Sequence, residues 1–196
     1  MSQQPERDTC TTCKQKFPGY GGVFLTFENK SQFYCDKCYN HKIAEIHDFD
    51  FTNISFHPVT IPDSDEIDHT FYISTRIFGP NVCLEAYELK NDQPVGYRFS
   101  VMGDVEENLL TLFTKLVDRI QRQLSIKHIE PAEHYRYLIT DKNTVRGYIT
   151  SDSEHRLTPN LVIDGKEIPW DEFGRMVHSY EGFNFKMELF DKTEER

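Results

Sequence analysis

Cys10-Thr11-Thr12-Cys13 and Cys35-Asp36-Lys37-Cys38 are the two stretches on which the reading of this 196-residue chain turns. Written as a pattern they give C-x2-C-x21-C-x2-C. Two residues between cysteines let both sulfurs of a pair reach one metal ion from a tight backbone knuckle, whose amides can also stabilise the sulfurs. Two such pairs complete a tetrahedral four-sulfur set, which suits Zn²⁺ at a metal–sulfur distance of about 2.3 Å. The central spacing is slightly longer than the usual range, which an intervening hairpin tolerates. The spacing therefore predicts a structural Zn²⁺ ligated by Cys10, Cys13, Cys35 and Cys38. A redox pair and an iron–sulfur cluster are the competing readings. A redox pair would want a single C-x-x-C after a buried strand, not two pairs bracketing a hairpin.

Between the pairs, Val23 to Phe27 and Gln32 to Tyr34 read as strands joined by the polar run Glu28-Asn29-Lys30-Ser31. From Asp36 to Ile46 the chain can be helical, with Tyr39, Ile43 and Ile46 on one face. The order knuckle, hairpin, knuckle, helix over about residues 8–46 resembles the treble-clef zinc finger and, more broadly, the zinc ribbon. That resemblance implies a structural metal and a binding surface, but no reaction. Four thiolates saturate the ion, whereas a catalytic zinc keeps an open position. His41 and His47 are near enough in sequence to replace a ligand, yet read more simply as surface residues. Cys83 reads as a small buried hydrophobe.

Working outward, residues 47–103 are strand-rich. Asp48 to Phe51 and Tyr97 to Val101 alternate polar and apolar, and Phe71 to Phe78 and Val82 to Leu89 flank the turn signal Gly79-Pro80-Asn81. Turns this short imply antiparallel neighbours. Residues 105–124 form an amphipathic helix carrying Leu109, Leu112, Phe113, Leu116, Val117, Ile120 and Leu124, with Asp104 and Glu107 placed as a capping box. Beyond Pro131, Tyr135 to Thr140 and Val145 to Thr150 read as a hairpin around Asp141 to Thr144. Leu161 to Ile163 and Lys166 to Ile168 read as another around Asp164-Gly165. Pro169 introduces a short helix, and the alternation from Phe183 to Phe190 predicts a closing strand. Phe183, Phe185 and Phe190, with Trp170 and Tyr180, are expected in the core.

The expected class is α+β. A zinc-binding lobe (1–46) precedes an antiparallel sheet-and-helix body (47–196), with one long packed helix, a shorter C-terminal helix and a subdivision near 131. The stretch from Ile163 to Phe183, and the body from about residue 58 onward, resemble bacterial proteins of unknown function.

Charge limits what the chain can bind. Residues 1–46 carry six Lys/Arg against five Asp/Glu, while residues 47–196 carry sixteen against twenty-seven. Neither part is the basic surface that phosphate neutralisation requires. An acidic body favours solubility and basic partners. No apolar run is long enough to cross a bilayer, and the N-terminus has no apolar signal segment, so a cytoplasmic location with reduced cysteines is expected. The acidic run from Asp63 to His69 lacks the alternation and glycine of a calcium loop and reads as a solvated loop. The histidines at 57, 69, 128, 134, 155 and 178 have no metal-binding spacing, Glu154 beside His155 carries little weight, and no phosphate-loop, dinucleotide or serine-nucleophile motif appears.

The expected function is a non-enzymatic, protein-binding module or adaptor with a structural zinc. Second stands a nucleic-acid-associated regulator using Lys14, Lys16, Lys30, Lys37 and Lys42 for phosphates and Tyr20 or Phe33 for stacking. An enzyme with its site in the acidic body is third. Oligomeric state is left open.

Overall fold

The computed structural model describes residues 7–152 and 157–194. In chain order, β1 (Arg7–Thr9) and β2 (Lys16–Pro18) form a small antiparallel pair. β3 (Gly22–Phe27) and β4 (Lys30–Cys35) form a hairpin that runs directly into α1 (Asp36–His47). A four-stranded antiparallel meander follows, made of β5 (Val59–Pro62), β6 (Asp68–Phe78), β7 (Asn81–Lys90) and β8 (Gln93–Asp104). Then come α2 (Leu109–Leu124), the pair β9 (Ile129–Pro131) and β10 (Tyr137–Ile139), and the sheet of β11 (Gly147–Ser151), β12 (Pro159–Ile163) and β13 (Lys166–Pro169). α3 (Trp170–Val177) is the last helix. The class is α+β.

Turn chemistry explains the meander. Asn91 and Asp92 both take positive φ between β7 and β8, as Glu28 and Asn29 do between β3 and β4, the conformation that matches the twist of a two-residue hairpin. Asp164 and Gly165 do the same between β12 and β13. Along β7 the residues alternate faces. Val82, Leu84 and Ala86 meet Phe99 and Val101 of β8 and the stripe Leu109, Leu112, Leu116, Ile120 and Leu124 of α2 in the main core. Burying each of those helix side chains stabilises the fold by roughly 1.5–3 kcal/mol. A separate cluster of Ile129, Ile163, Ile168 and Met176 holds β12, β13 and α3 together.

Several local expectations differ from the structure. Asp48 to Phe51 is not a strand; Asp48 takes a left-handed conformation that closes α1, and its N–H returns to the Glu45 carbonyl. α2 begins at Leu109 because Asn108 caps it, its side chain accepting the Leu110 N–H, while Asp104 closes the preceding turn by accepting the Glu106 N–H. The segments around 135–150 do not pair with each other. β10 pairs back with β9, and β11 pairs forward with β12. Residues 183–190 form no strand pairing, and of the residues expected in the core Phe183, Phe185, Phe190 and Trp170 are exposed, as are Met187 and Leu189.

α1 also presents a different face from the one its apolar residues suggest. Tyr39, Asn40 and Ala44 are buried, while Ile46 is 62% exposed. β5 pairs with β6 only from Asp68 to Phe71, which leaves the backbone of Thr75 to Ile77 on an open edge. Asn40 fills that edge as a strand would. Its Nδ2 donates to the Thr75 carbonyl at 2.8 Å and its Oδ1 accepts the Ile77 N–H at 3.0 Å. The Tyr39 hydroxyl donates to the Ile77 carbonyl, and Arg76 donates from Nε to Asp36 and from Nη2 to the Tyr20 carbonyl. The N-terminal lobe is thus fastened to the sheet by polar contacts in a buried setting.

Candidate metal centre

The four cysteines converge from two places in the chain. Cys10 follows β1 and opens a tight turn in which Cys10 N–H reaches the Gln15 carbonyl and Lys14 N–H reaches the Cys10 carbonyl. Lys14 adopts a left-handed φ of 61° to complete that turn. Cys35 ends β4 and is the N-cap residue of α1, which places Cys38 in the first helical turn. The two knuckles are held side by side by the Thr11 N–H, which donates to the Phe33 carbonyl at 2.7 Å. Phe17 and Phe33 pack around Cys10, Cys35 and Cys38, giving the lobe its small core.

The geometry fits a tetrahedral ion. Sulfurs about 2.3 Å from a common centre lie about 3.8 Å apart in a regular tetrahedron. Cys13 Sγ and Cys35 Sγ stand 3.9 Å apart, and all four Sγ atoms lie within 4.8 Å of one another. Cys10 and Cys35 are buried, Cys38 is half-buried and Cys13 is exposed. Among the described residues, no other group of three or more His, Cys, Asp or Glu side chains brings its ligand atoms close enough to share a metal.

The electrostatics match the same donor set. Burial alone raises the Cys10 thiol, but backbone N–H groups of Cys35, Cys13 and Thr12, together with the Cys13 side chain, bring it down to about 6. The Cys35 N–H lies 3.4 Å from Cys10 Sγ. Burial pushes the Cys35 thiol up, against an N–H bond from Cys38. Cys38 is raised strongly by burial and by the neighbouring sulfurs that crowd it. Thiolates crowded this closely would repel one another, and a divalent cation at their centre would supply the compensating charge. The cysteine cluster can hold a metal ion.

Other expected sites resolve differently. His41 lies beside Glu45 and His47 stacks on Phe49, so neither joins the sulfurs. Phe33 is only 4% exposed, which removes it as a stacking platform for a base. Tyr20 packs edge-on against Tyr87. Cys83 is buried, and burial raises its thiol to about 11. In the acidic run, Asp63 Oδ1 accepts the N–H groups of Asp65 and Ile67, and Lys127 bridges Asp63 and Asp65. That is the arrangement of a self-closed turn. His69 sits behind it, with Nδ1 2.8 Å from Glu88 and its buried Nε2 3.6 Å from Asp63, a polar pairing that nothing in the local sequence marks. A shallow cavity of about 270 Å³ adjoins this turn, lined by Ile61, Pro62, Asp63, Ser64, Gln121 and Ser125. His128 is buried, its Nδ1 2.8 Å from the Thr144 carbonyl. Glu154 and His155 lie outside the described residues.

Two family models match separate parts of the chain. Residues 52–125 match a domain of unknown function (DUF7686), and residues 128–194 match a second domain of unknown function (DUF7713). No curated protein and no solved structure matches the chain. Among the described residues, no helix is long and apolar enough to cross a membrane.

Proposed function

We propose that the chain is a non-enzymatic, cytoplasmic protein-interaction module whose N-terminal lobe, a treble-clef-like zinc finger over residues 1–46, is built around one structural Zn²⁺. The observation that carries this reading is the four-sulfur set itself. Cys10, Cys13, Cys35 and Cys38 would occupy every position of a tetrahedral ion and leave none for water or substrate. Thiolate ligands and tetrahedral spacing favour zinc over harder cations. The body, residues 47–196 with a subdivision near 131, carries the net negative charge, which favours a basic protein partner.

Metal analysis of protein purified without added zinc tests the first half of the reading. One zinc per chain is expected, whereas iron with a visible charge-transfer spectrum would point to a cluster instead. The second half is tested by affinity capture with the intact chain, compared with activity screens on the purified protein. Turnover of a substrate by the purified chain, with no specific partner recovered, would sink the interaction reading.

A further inference from the structure

Residues 183–190, Phe-Asn-Phe-Lys-Met-Glu-Leu-Phe, form no helix, strand or turn, and among the described residues their only polar contact beyond Phe183 is one ion pair. The segment is tied at both ends. At the start, the Phe183 N–H donates to the Tyr180 carbonyl, and the Tyr180 hydroxyl donates to Asn143. At the end, the Ser100 hydroxyl donates to the Lys192 carbonyl, and Lys192 Nζ reaches Glu85 at 2.9 Å. Between these ties the N–H and C=O groups from Asn184 to Phe190 form no hydrogen bond to another described residue. Successive side chains of an extended segment point to opposite sides. Paired as a strand, the segment would therefore present on one side Phe183, Phe185, Met187 and Leu189, which are 69%, 92%, 58% and 71% exposed. A tethered run of free backbone groups beneath a row of apolar side chains is a template for strand pairing.

The charge pattern selects the occupant. Lys186 and Glu188 flank Met187 and pair with each other at 2.6 Å. When two copies of this segment run antiparallel about a twofold axis at Met187, Lys186 of each faces Glu188 of the other. On the apolar side, Phe185 of each copy faces Leu189 of the other, and Met187 faces itself. Every directly opposed pair from Phe185 to Leu189 is then either apolar with apolar or opposite in charge; at the ends Asn184 faces Phe190 and Phe183 faces Asp191. Such pairs are the unit of sheet stabilisation, and a twofold contact demands this kind of self-complementarity. We propose that residues 183–190 pair antiparallel with the same segment of a second copy, forming a dimer about Met187.

Sedimentation equilibrium of the full metal-loaded chain tests this, with thermal melts to confirm that each variant is folded. The expected result is a concentration-dependent dimer that Met187→Pro abolishes, because proline removes a central N–H. Lys186→Glu and Glu188→Lys should each weaken the dimer about tenfold by placing two like-charge pairs across the strands. Mixing those two variants should restore association between them, and the double exchange Lys186→Glu/Glu188→Lys should restore the homodimer. A chain that stays monomeric throughout the micromolar range would overturn the proposal. So would a dimer indifferent to all of these changes. A monomer whose segment gains hydrogen-exchange protection only when a different protein is added would assign the strand to a foreign partner and overturn self-pairing.

Discussion

Replacing Asn40 by alanine removes the carboxamide that closes the open edge of β6. The side chain is 1% exposed, and the groups it serves, the Thr75 carbonyl and the Ile77 N–H, belong to residues 8% and 0% exposed. Each orphaned buried group costs about 1–3 kcal/mol, so the pair bounds the loss at about 2–6 kcal/mol. The space left by the truncation can admit a water to one of them, which places the expected loss near the lower part of that range, at about 3 kcal/mol. For a chain of this length that corresponds to a fall in Tm of about 6–12 °C. Urea unfolding followed by circular dichroism measures it. Lys37→Ala, at an exposed position of the same helix, serves as the control and should stay within about 0.5 kcal/mol of the parent.

Because α1 also carries Cys38, Asn40→Ala should hasten loss of bound metal to a chelator, a readout that global stability alone does not give. Asn40→Asp sharpens the test. Its carboxylate still accepts the Ile77 N–H but confronts the Thr75 carbonyl, so burial and that carbonyl would raise its folded pKa above the unfolded value of about 3.9. A raised folded pKa means that stability is held at low pH and lost as pH rises through the folded value. The aspartate variant should therefore be the weaker of the two at neutral pH, with the gap to Asn40→Ala closing on acidification as the protonated acid donates to Thr75. An Asn40→Ala variant as stable as the Lys37 control, releasing metal at the parent rate, would refute the reasoning.

Other outcomes follow from the metal centre and its hairpin. Cys10→Ser and Cys35→Ser should each abolish stoichiometric zinc in metal analysis and unfold the lobe by hydrogen exchange, whereas Cys83→Ser should keep the metal. Acidification should release the ion with a steep, multi-proton dependence, since sulfurs ligate as thiolates and protons compete for them; a chromogenic chelator titrated against pH reads this directly. Gly22→Ala should destabilise the β3–β4 hairpin by more than a surface change would, because a Cβ there runs into the Tyr34 carbonyl and the Phe33 ring, and the loss should appear in the same urea titration.

Local chemistry was readable where it decides structure by itself. The two C-x2-C pairs, the Gly79-Pro80 and Asp164-Gly165 turns and the leucine stripe of α2 each act through spacing alone, and each appears in the structure as its spacing predicts. Pairing choices were not readable. β10 and β11 each satisfy a strand pattern, but nothing between Asp141 and Thr144 says that they join different sheets. Asn40 escaped notice because a polar residue amid the helix carries no periodic signature; its role depends on a gap that β5 leaves on β6, far along the chain. The alternation at Phe183 to Leu189 predicted a strand that the structure does not form, because alternation says nothing of what lies alongside a segment. Whether a buried polar pair such as His69 and Glu88 exists depends on register between strands, which no window of sequence contains.

The contact between Asn40 and β6 has a further consequence in the order of synthesis. Asn40 and Ile77 are 37 residues apart, so the metal lobe leaves the ribosome before the edge it docks against has been made. At about 5–20 residues per second the interval is about 2–7 s. During that interval the lobe has only Cys10, Phe33, Cys35 and their few neighbours as a core, so if the four sulfurs take up an ion, its capture, not docking, would be the event that first gives the nascent chain a folded piece. The supply of metal to the translating ribosome would then set whether the sheet, once complete, meets a finished helix or an unstructured one.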